Sequence, residues 1–157
     1  MEHTAKYQKY ERLYRQIDDL IKKSSNNPGS NMSTIIAVLH HKIPYFFWTG
    51  FYILIDDKLQ VGPYQGSLAC IDLTKDTGVC WMAINKKETV VVPDVEAFPG
   101  HIACDSRSCS EIVVPLYNDK EELCGVLDVD SRELNSFDET DAYWLEKISQ
   151  LVYHPNV

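Results

Sequence analysis

No stretch of this chain approaches the run of about 18 apolar residues that a membrane-spanning helix needs. Nor does the N-terminus, MEHTAKYQKYERLYRQ, carry the apolar core of a secretory signal; the expectation is a cytoplasmic, reducing compartment with mostly free thiols. Clusters of Lys and Arg are missing too. A net charge of -8, from 23 acidic against 15 basic side chains, argues against nucleic acid and anionic membrane surfaces as partners. The five cysteines are an odd number, which excludes a fully paired disulfide framework within one chain. No CxxC or HxxxH occurs, and the spacings between Cys70, Cys80, Cys104 and Cys109 match no common zinc pattern, so neither a metal nor a cofactor is expected. Internal repeats and low-complexity segments are absent.

What remains is a globular composition, 45% hydrophobic and 24% charged, in 157 residues, the size of one domain covering residues 1–157. Tyr7, Tyr10, Leu13, Tyr14, Ile17, Leu20 and Ile21 recur at helical spacing and predict an amphipathic first helix that ends in SSNNPGS. A second helix carries Met32, Ile35, Ile36 and Leu39, with His40, His41 and Lys42 in its last turn and Pro44 stopping it. Residues 49–55 and 59–64 flank Asp56, Asp57 and Lys58 and read as a hairpin; a short strand is expected at 89–92. Residues 93–111, with Pro93, Pro99 and Gly100, read as a long functional loop. A second hairpin is expected over 112–117 and 123–129, and Ser136 with Glu139 reads as a capping box for a last helix bearing Ala142, Leu145, Ile148 and Val152. This order of elements predicts an α+β domain with an antiparallel sheet.

Within the long loop, GHIACDSRSCSE places Cys104 beside Asp105 and three residues from both His101 and Arg107. A thiol in such polar company is reachable, and a neighbouring cation can lower its pKa; only the thiolate is a nucleophile. Cys70 and Cys80 stand at the ends of elements, Cys109 shares the loop with Cys104, and Cys124 in ELCGVLDV reads as a core residue. Glu111 opens one strand while Asp128 and Asp130 alternate on the next, so the two aspartates point to one face of the sheet. Carboxylates inside strands resist burial unless something binds them, and together the three form an anionic pocket suited to an ammonium group. Mutual repulsion also raises a carboxyl pKa toward that of a proton donor.

The segments WTGFY at 48–52, GPYQG at 62–66, Ala69-Cys70, GVC at 78–80, VPDVEAFPGHIAC at 92–104, SEIVVPL at 110–116 and GVLDVDS at 125–131 resemble the GAF-domain free methionine-(R)-sulfoxide reductases. The resemblance covers nearly everything after the first helix. It implies a GAF-type fold, a central antiparallel sheet with helices packed mainly on one face. It also implies reduction of free methionine-(R)-sulfoxide with Cys104 as the catalytic cysteine. Cys70 and Cys80 fall on the cysteines that resolve the intermediate, and which of the two is the main one stays open. Glu111, Asp128 and Asp130 fall on acids lining the substrate pocket, and Trp48 and Tyr52 on the aromatic segment near the bound methionine. Glu111 and Asp128 are both candidates to protonate the sulfoxide oxygen. Thioredoxin or a similar dithiol is the implied reductant, and a homodimer the implied assembly. The alternatives from other classes are a GAF domain that binds a small molecule and signals, and a thiol switch without turnover.

Overall fold

In the computed structural model, residues 4–101 and 104–155 are described. Helix α1 spans Ala5–Lys22, α2 Pro28–Lys42, α3 Gly78–Lys86 and α4 Glu139–Gln150. The strands are β1 Trp48–Ile55, β2 Lys58–Gln65, β3 Asp72–Leu73, β4 Val90–Val92, β5 Ser110–Tyr117 and β6 Leu123–Ser131. They form one six-stranded sheet in the order β3-β2-β1-β6-β5-β4, every pair antiparallel. The two hairpins lie side by side, with β1 and β6 at the centre. Among the described residues no helix is long and apolar enough to cross a membrane.

One face of the sheet is covered by α1, α2 and α4. Phe51, Ile112, Val114, Leu127 and Val129 of the strands pack there against Tyr10, Ile17, Ile35, Leu39, Leu145 and Ile148. Successive strand residues alternate between faces. The opposite face therefore carries Val113 and Val126 beside Trp48 and Tyr52, covered by Val79, Trp81 and Ala83 of α3. The three acids fall on this second face.

Several local expectations are corrected. Pro28 to Ser30 do not end α1 but open α2: Asn27 caps it by accepting from the Ser30 N–H, and Pro28 occupies the first turn, where a missing N–H costs nothing. Leu20 is 47% exposed, while Asp18 is buried on α1 and pairs with Lys22 at 3.1 Å. The last helix is capped by Asp138 and Asp141, not by Ser136 and Glu139: the Asp138 carboxylate accepts from Thr140 and Asp141 N–H groups, and Asp141 accepts from Asp138 N–H at 2.8 Å. The Ser136 hydroxyl instead meets Ser131 and the Glu133 carbonyl. Lys58 pairs with Ile55 as part of β2, leaving a two-residue turn in which Asp56 and Asp57 both have positive φ. Among its described residues the long loop contains a 3-10 turn, Val95–Ala97, and it ends at Cys109, since β5 already begins at Ser110.

Helix α3 was not expected at all. It is nine residues long, lacks a side-chain cap at Thr77 and buries Val79, Cys80, Trp81, Ala83 and Ile84, so it shows no polar face by which a helix is read. Its placement puts Cys80 in a first turn facing the sheet.

Candidate active site

Between α3, the sheet and the segments at 67–69 and 104–108 lies a narrow cavity, partly open to solvent. The residues around it come from five separate stretches of chain, and each reaches it for a local reason.

The aromatic wall is built on β1. Trp48 stacks on Tyr52 (ring centroids 5.8 Å apart) and on Tyr64 of β2 (5.4 Å), and its indole N–H donates to the Ser67 carbonyl at 3.0 Å. The close stack depends on Gly50. A Cβ there would lie 2.5 Å from both the Trp48 ring and Tyr64 Cβ. Gly66, at φ +121°, turns the chain back against Trp48, a conformation that side chains on other residues disfavour. Tyr52 donates to the Cys70 carbonyl at 3.2 Å, tying the wall to the cysteine loop.

The acids sit on β5 and β6. Glu111 pairs with Asp130 across the ladder, and Asp128 stands between Gly50 of β1 and Val113 of β5. Glu111 and Asp128 are 6% and 5% exposed. Burial, then the neighbouring Asp130 charge, pushes the Glu111 carboxyl up to about 8. Burial likewise holds Asp128 and Asp130 well above the usual carboxylate range, aided by Glu111 beside the first and Asp128 beside the second. Asp128 Oδ1 has no hydrogen-bond partner although it is buried. His101 Nε2 lies 3.7 Å from Glu111 Oε1, and burial lowers the His101 pKa, so the imidazole meets the acid in its neutral form at pH 7.

Of the cysteines, Cys104 and Cys70 are joined in a disulfide, their Cα atoms 5.7 Å apart across 34 residues of sequence. Cys104 is exposed at the cavity mouth and Cys70 is half-buried. Cys80 is buried and free, its thiol pushed up by burial and then by Asp128 and Glu111. The Cys80 sulfur and one oxygen each from Glu111 and Asp128 lie within 4.8 Å of one another. Cys70 and Cys104 thus bond to each other, while Cys80 is grouped with acids. Cys109 lies outside the cavity lining, its backbone pinned to Ser131 and Val95. Cys124 is half-buried against the helical face, with its thiol near the Leu116 carbonyl.

The loop around Cys104 is held from its far side. Arg107 makes a two-pronged contact to Asp105, at 3.0 and 2.7 Å, and lies over the Phe47 ring at 4.9 Å. Arg107 thus keeps the Asp105 carboxyl below its usual range and is itself committed to that pair. Ile102 and Ala103 of the HIAC segment lie outside the described residues. Of the residues expected at the site from sequence, Trp48, Tyr52, Cys80, Cys104, Glu111, Asp128 and Asp130 line this cavity, whereas Cys70 does not and is tied to its lining through the Tyr52 hydroxyl and the Cys104 disulfide. Sequence reasoning missed Ser67, Leu68 and the start of α3 at Thr77 to Val79, which also line it. Gly66 before Ser67 was the available signal for the first pair; the α3 residues carried none.

An arrangement of a cysteine pair joined at the cavity mouth, a buried acid that keeps its proton at neutral pH and an aromatic wall suits thiol chemistry on a small polar molecule carrying an apolar end. Residues 41–152 match the GAF domain family. The chain is 46% identical over 149 residues to GAF domain-containing protein A of Dictyostelium discoideum, covering 94% of this chain and 92% of that one. It is 39% identical over 119 residues to the free methionine-R-sulfoxide reductase of Escherichia coli, 76% of this chain and 72% of the relative. Free methionine-R-sulfoxide reductase from Neisseria meningitidis, solved in complex with its substrate, superposes with a TM-score of 0.89 at 41% identity, over 95% of this chain and 89% of that one. The chain therefore belongs to the GAF-domain family of free methionine-R-sulfoxide reductases.

Proposed function

We propose that this protein reduces free L-methionine-(R)-sulfoxide to L-methionine through a cycle on Cys104 and Cys70. One observation carries the reading: the cavity that holds two buried carboxyls, a half-buried third and an aromatic wall also holds Cys104 already bonded to a second cysteine.

The chemistry follows from the residues. A sulfoxide sulfur is a poor electrophile until its oxygen gains a proton. The Glu111 carboxyl, protonated below about 8, supplies it from inside the cavity. The Cys104 thiolate attacks the sulfur of the protonated sulfoxide, and the hydroxyl then passes from that sulfur to Cys104 as the transient S–S bond breaks, so that methionine leaves with the electron pair and Cys104 becomes a sulfenic acid. The Cys70 thiol then attacks the Cys104 sulfur and expels water, leaving the disulfide. Thioredoxin or a similar dithiol exchanges with it, restoring both thiols and becoming oxidised in turn. Such regeneration belongs in a cytoplasmic, reducing compartment. Of the two candidate resolving thiols we assign Cys70, because Cys80 is buried and its thiol is held protonated.

The carboxyl cluster also accounts for the choice of a free amino acid. Asp128 and Asp130 face the α-ammonium, a group that a methionine inside a polypeptide lacks, and Asp128 Oδ1 gains the donor it is missing. Trp48 and Tyr52 face the thioether methyl end.

The test is methionine release from free methionine-(R)-sulfoxide with dithiothreitol as reductant, with the S epimer as control. Turnover confined to the R epimer supports the reading. No turnover by folded, reduced protein overturns it in favour of a ligand-binding GAF domain.

A further inference from the structure

We propose that Cys80, Glu111 and Asp128 form a binding site for a thiophilic divalent cation of the Zn²⁺ class on the floor of this cavity. The cycle above gives Cys80 no part. Yet its sulfur lies within 4.8 Å of two carboxylate oxygens, all three residues are buried, and the disulfide leaves the thiol free.

Three features point to a metal beyond the mere presence of acids. The first is Asp128 Oδ1, a buried acceptor atom without a hydrogen-bond partner, on a residue 5% exposed. The second is the absence of a compensating cation: no Lys or Arg is among the described residues lining the cavity, and His101 is the one basic side chain there. The third is the sulfur. A thiolate among oxygen ligands favours zinc-like ions over Mg²⁺ or Ca²⁺. With Zn–S near 2.3 Å and Zn–O near 2.1 Å, neighbouring ligand atoms around the ion stand about 3.5 Å apart. Side-chain rotation of about an ångström closes the present triangle to that size.

Because Cys80 is outside the disulfide, the site exists in the oxidised chain, where Cys70 and Cys104 cannot act as a chelating dithiol. Binding does not rest on the proposed activity. Its consequence does: cation and substrate ammonium claim the same carboxylates, so the metal competes with free methionine sulfoxide.

The experiment uses full-length protein with the Cys70–Cys104 disulfide intact. Zn²⁺ is titrated against a chromophoric chelator, and Co²⁺ serves as a probe whose near-ultraviolet thiolate charge-transfer band reports sulfur ligation. Expected are one equivalent bound, a charge-transfer band, no displacement by excess Mg²⁺, and no change in Cys109→Ser. In Cys80→Ser the band disappears and Zn²⁺ affinity falls at least about tenfold, as for loss of one good ligand. Glu111→Gln provides a second check, with a similar fall in affinity. Absence of saturable binding, a band that persists in Cys80→Ser, or an affinity unchanged in Glu111→Gln overturns the proposal. Neither readout involves turnover, so an inactive protein that binds Zn²⁺ separates the two readings.

Discussion

Glu111 and Asp130 stand directly opposite each other on β5 and β6, both turned away from the helical core and into the cavity. Their pairing puts a would-be charge beside a would-be charge in a buried place, and the molecule resolves the conflict by keeping a proton. The Glu111 carboxyl is raised from 4.5 to about 8 by burial and then by Asp130. In metal-free protein, with Asp128, Asp130, Cys80 and His101 as the other titratable groups facing it, kcat/KM is expected to fall about tenfold per pH unit above about 8, as the proton donor is lost. Glu111→Gln should lower the rate and remove that alkaline limb. A rate still rising from pH 8 to 9.5 would contradict Glu111 as the acid.

The same shift sets a stability trend. Between 4.5 and about 8 the folded chain binds more protons at Glu111 than the unfolded chain, so this group's contribution weakens as pH rises through that window. Glu111→Gln should therefore be more stable relative to the native sequence at pH 8.5 than at pH 5 in denaturant titrations.

Asp128→Asn tests ammonium recognition. The substitution keeps shape but removes the partner of a charged donor, which is worth about 1.5–3 kcal/mol, or roughly 10- to 100-fold in the Michaelis constant. Steady-state kinetics with free methionine-(R)-sulfoxide showing an unchanged KM would sink this role.

Gly50→Ala probes the aromatic wall. The added methyl meets the Trp48 ring and Tyr64 Cβ at 2.5 Å, both on the sheet and neither free to move far. Overpacking of this kind costs about 1–3 kcal/mol. Displacing Trp48 should also raise KM about tenfold while leaving the Cys70–Cys104 disulfide able to form, measured as thiol loss on oxidation.

Away from the site, Asp141 is fully buried and gathers four partners at once. It accepts from Tyr10 and Tyr45 hydroxyls, each at 2.6 Å, pairs with Lys6 and caps α4 through the Asp138 N–H. Asp141→Ala leaves those donors unmatched and should cost about 3–5 kcal/mol in guanidinium unfolding, the scale for breaking a buried pair from one side.

The acids were legible in the sequence because strand periodicity is two: Asp128 and Asp130 must share a face, with Leu127 and Val129 taking the core. The hairpins were legible because their aromatic and β-branched runs are punctuated by polar turns. Helix α3 was not, since a short helix packed on a sheet and buried nearly all round has no periodic contrast. The boundary at 24–30 was misread because Pro and Gly signal a stop, yet Asn27 as cap makes Pro28 a start. Nor could spacing choose between Cys70 and Cys80 as the partner of Cys104. That choice is set by the fold, which carries the β2–β3 loop over the cavity and sinks Cys80 beneath it.

The most direct measurement is a single turnover: fully reduced protein, free of external thiols, is mixed with one equivalent of free methionine-(R)-sulfoxide, and methionine, free thiols and peptide cross-links are followed together. One methionine per chain, loss of two thiols and a cross-link mapping to Cys70 and Cys104 is the expected result, with Cys104→Ser releasing no methionine. Methionine released by Cys104→Ser, or a cross-link that excludes Cys104, would contradict the assignment of the nucleophile.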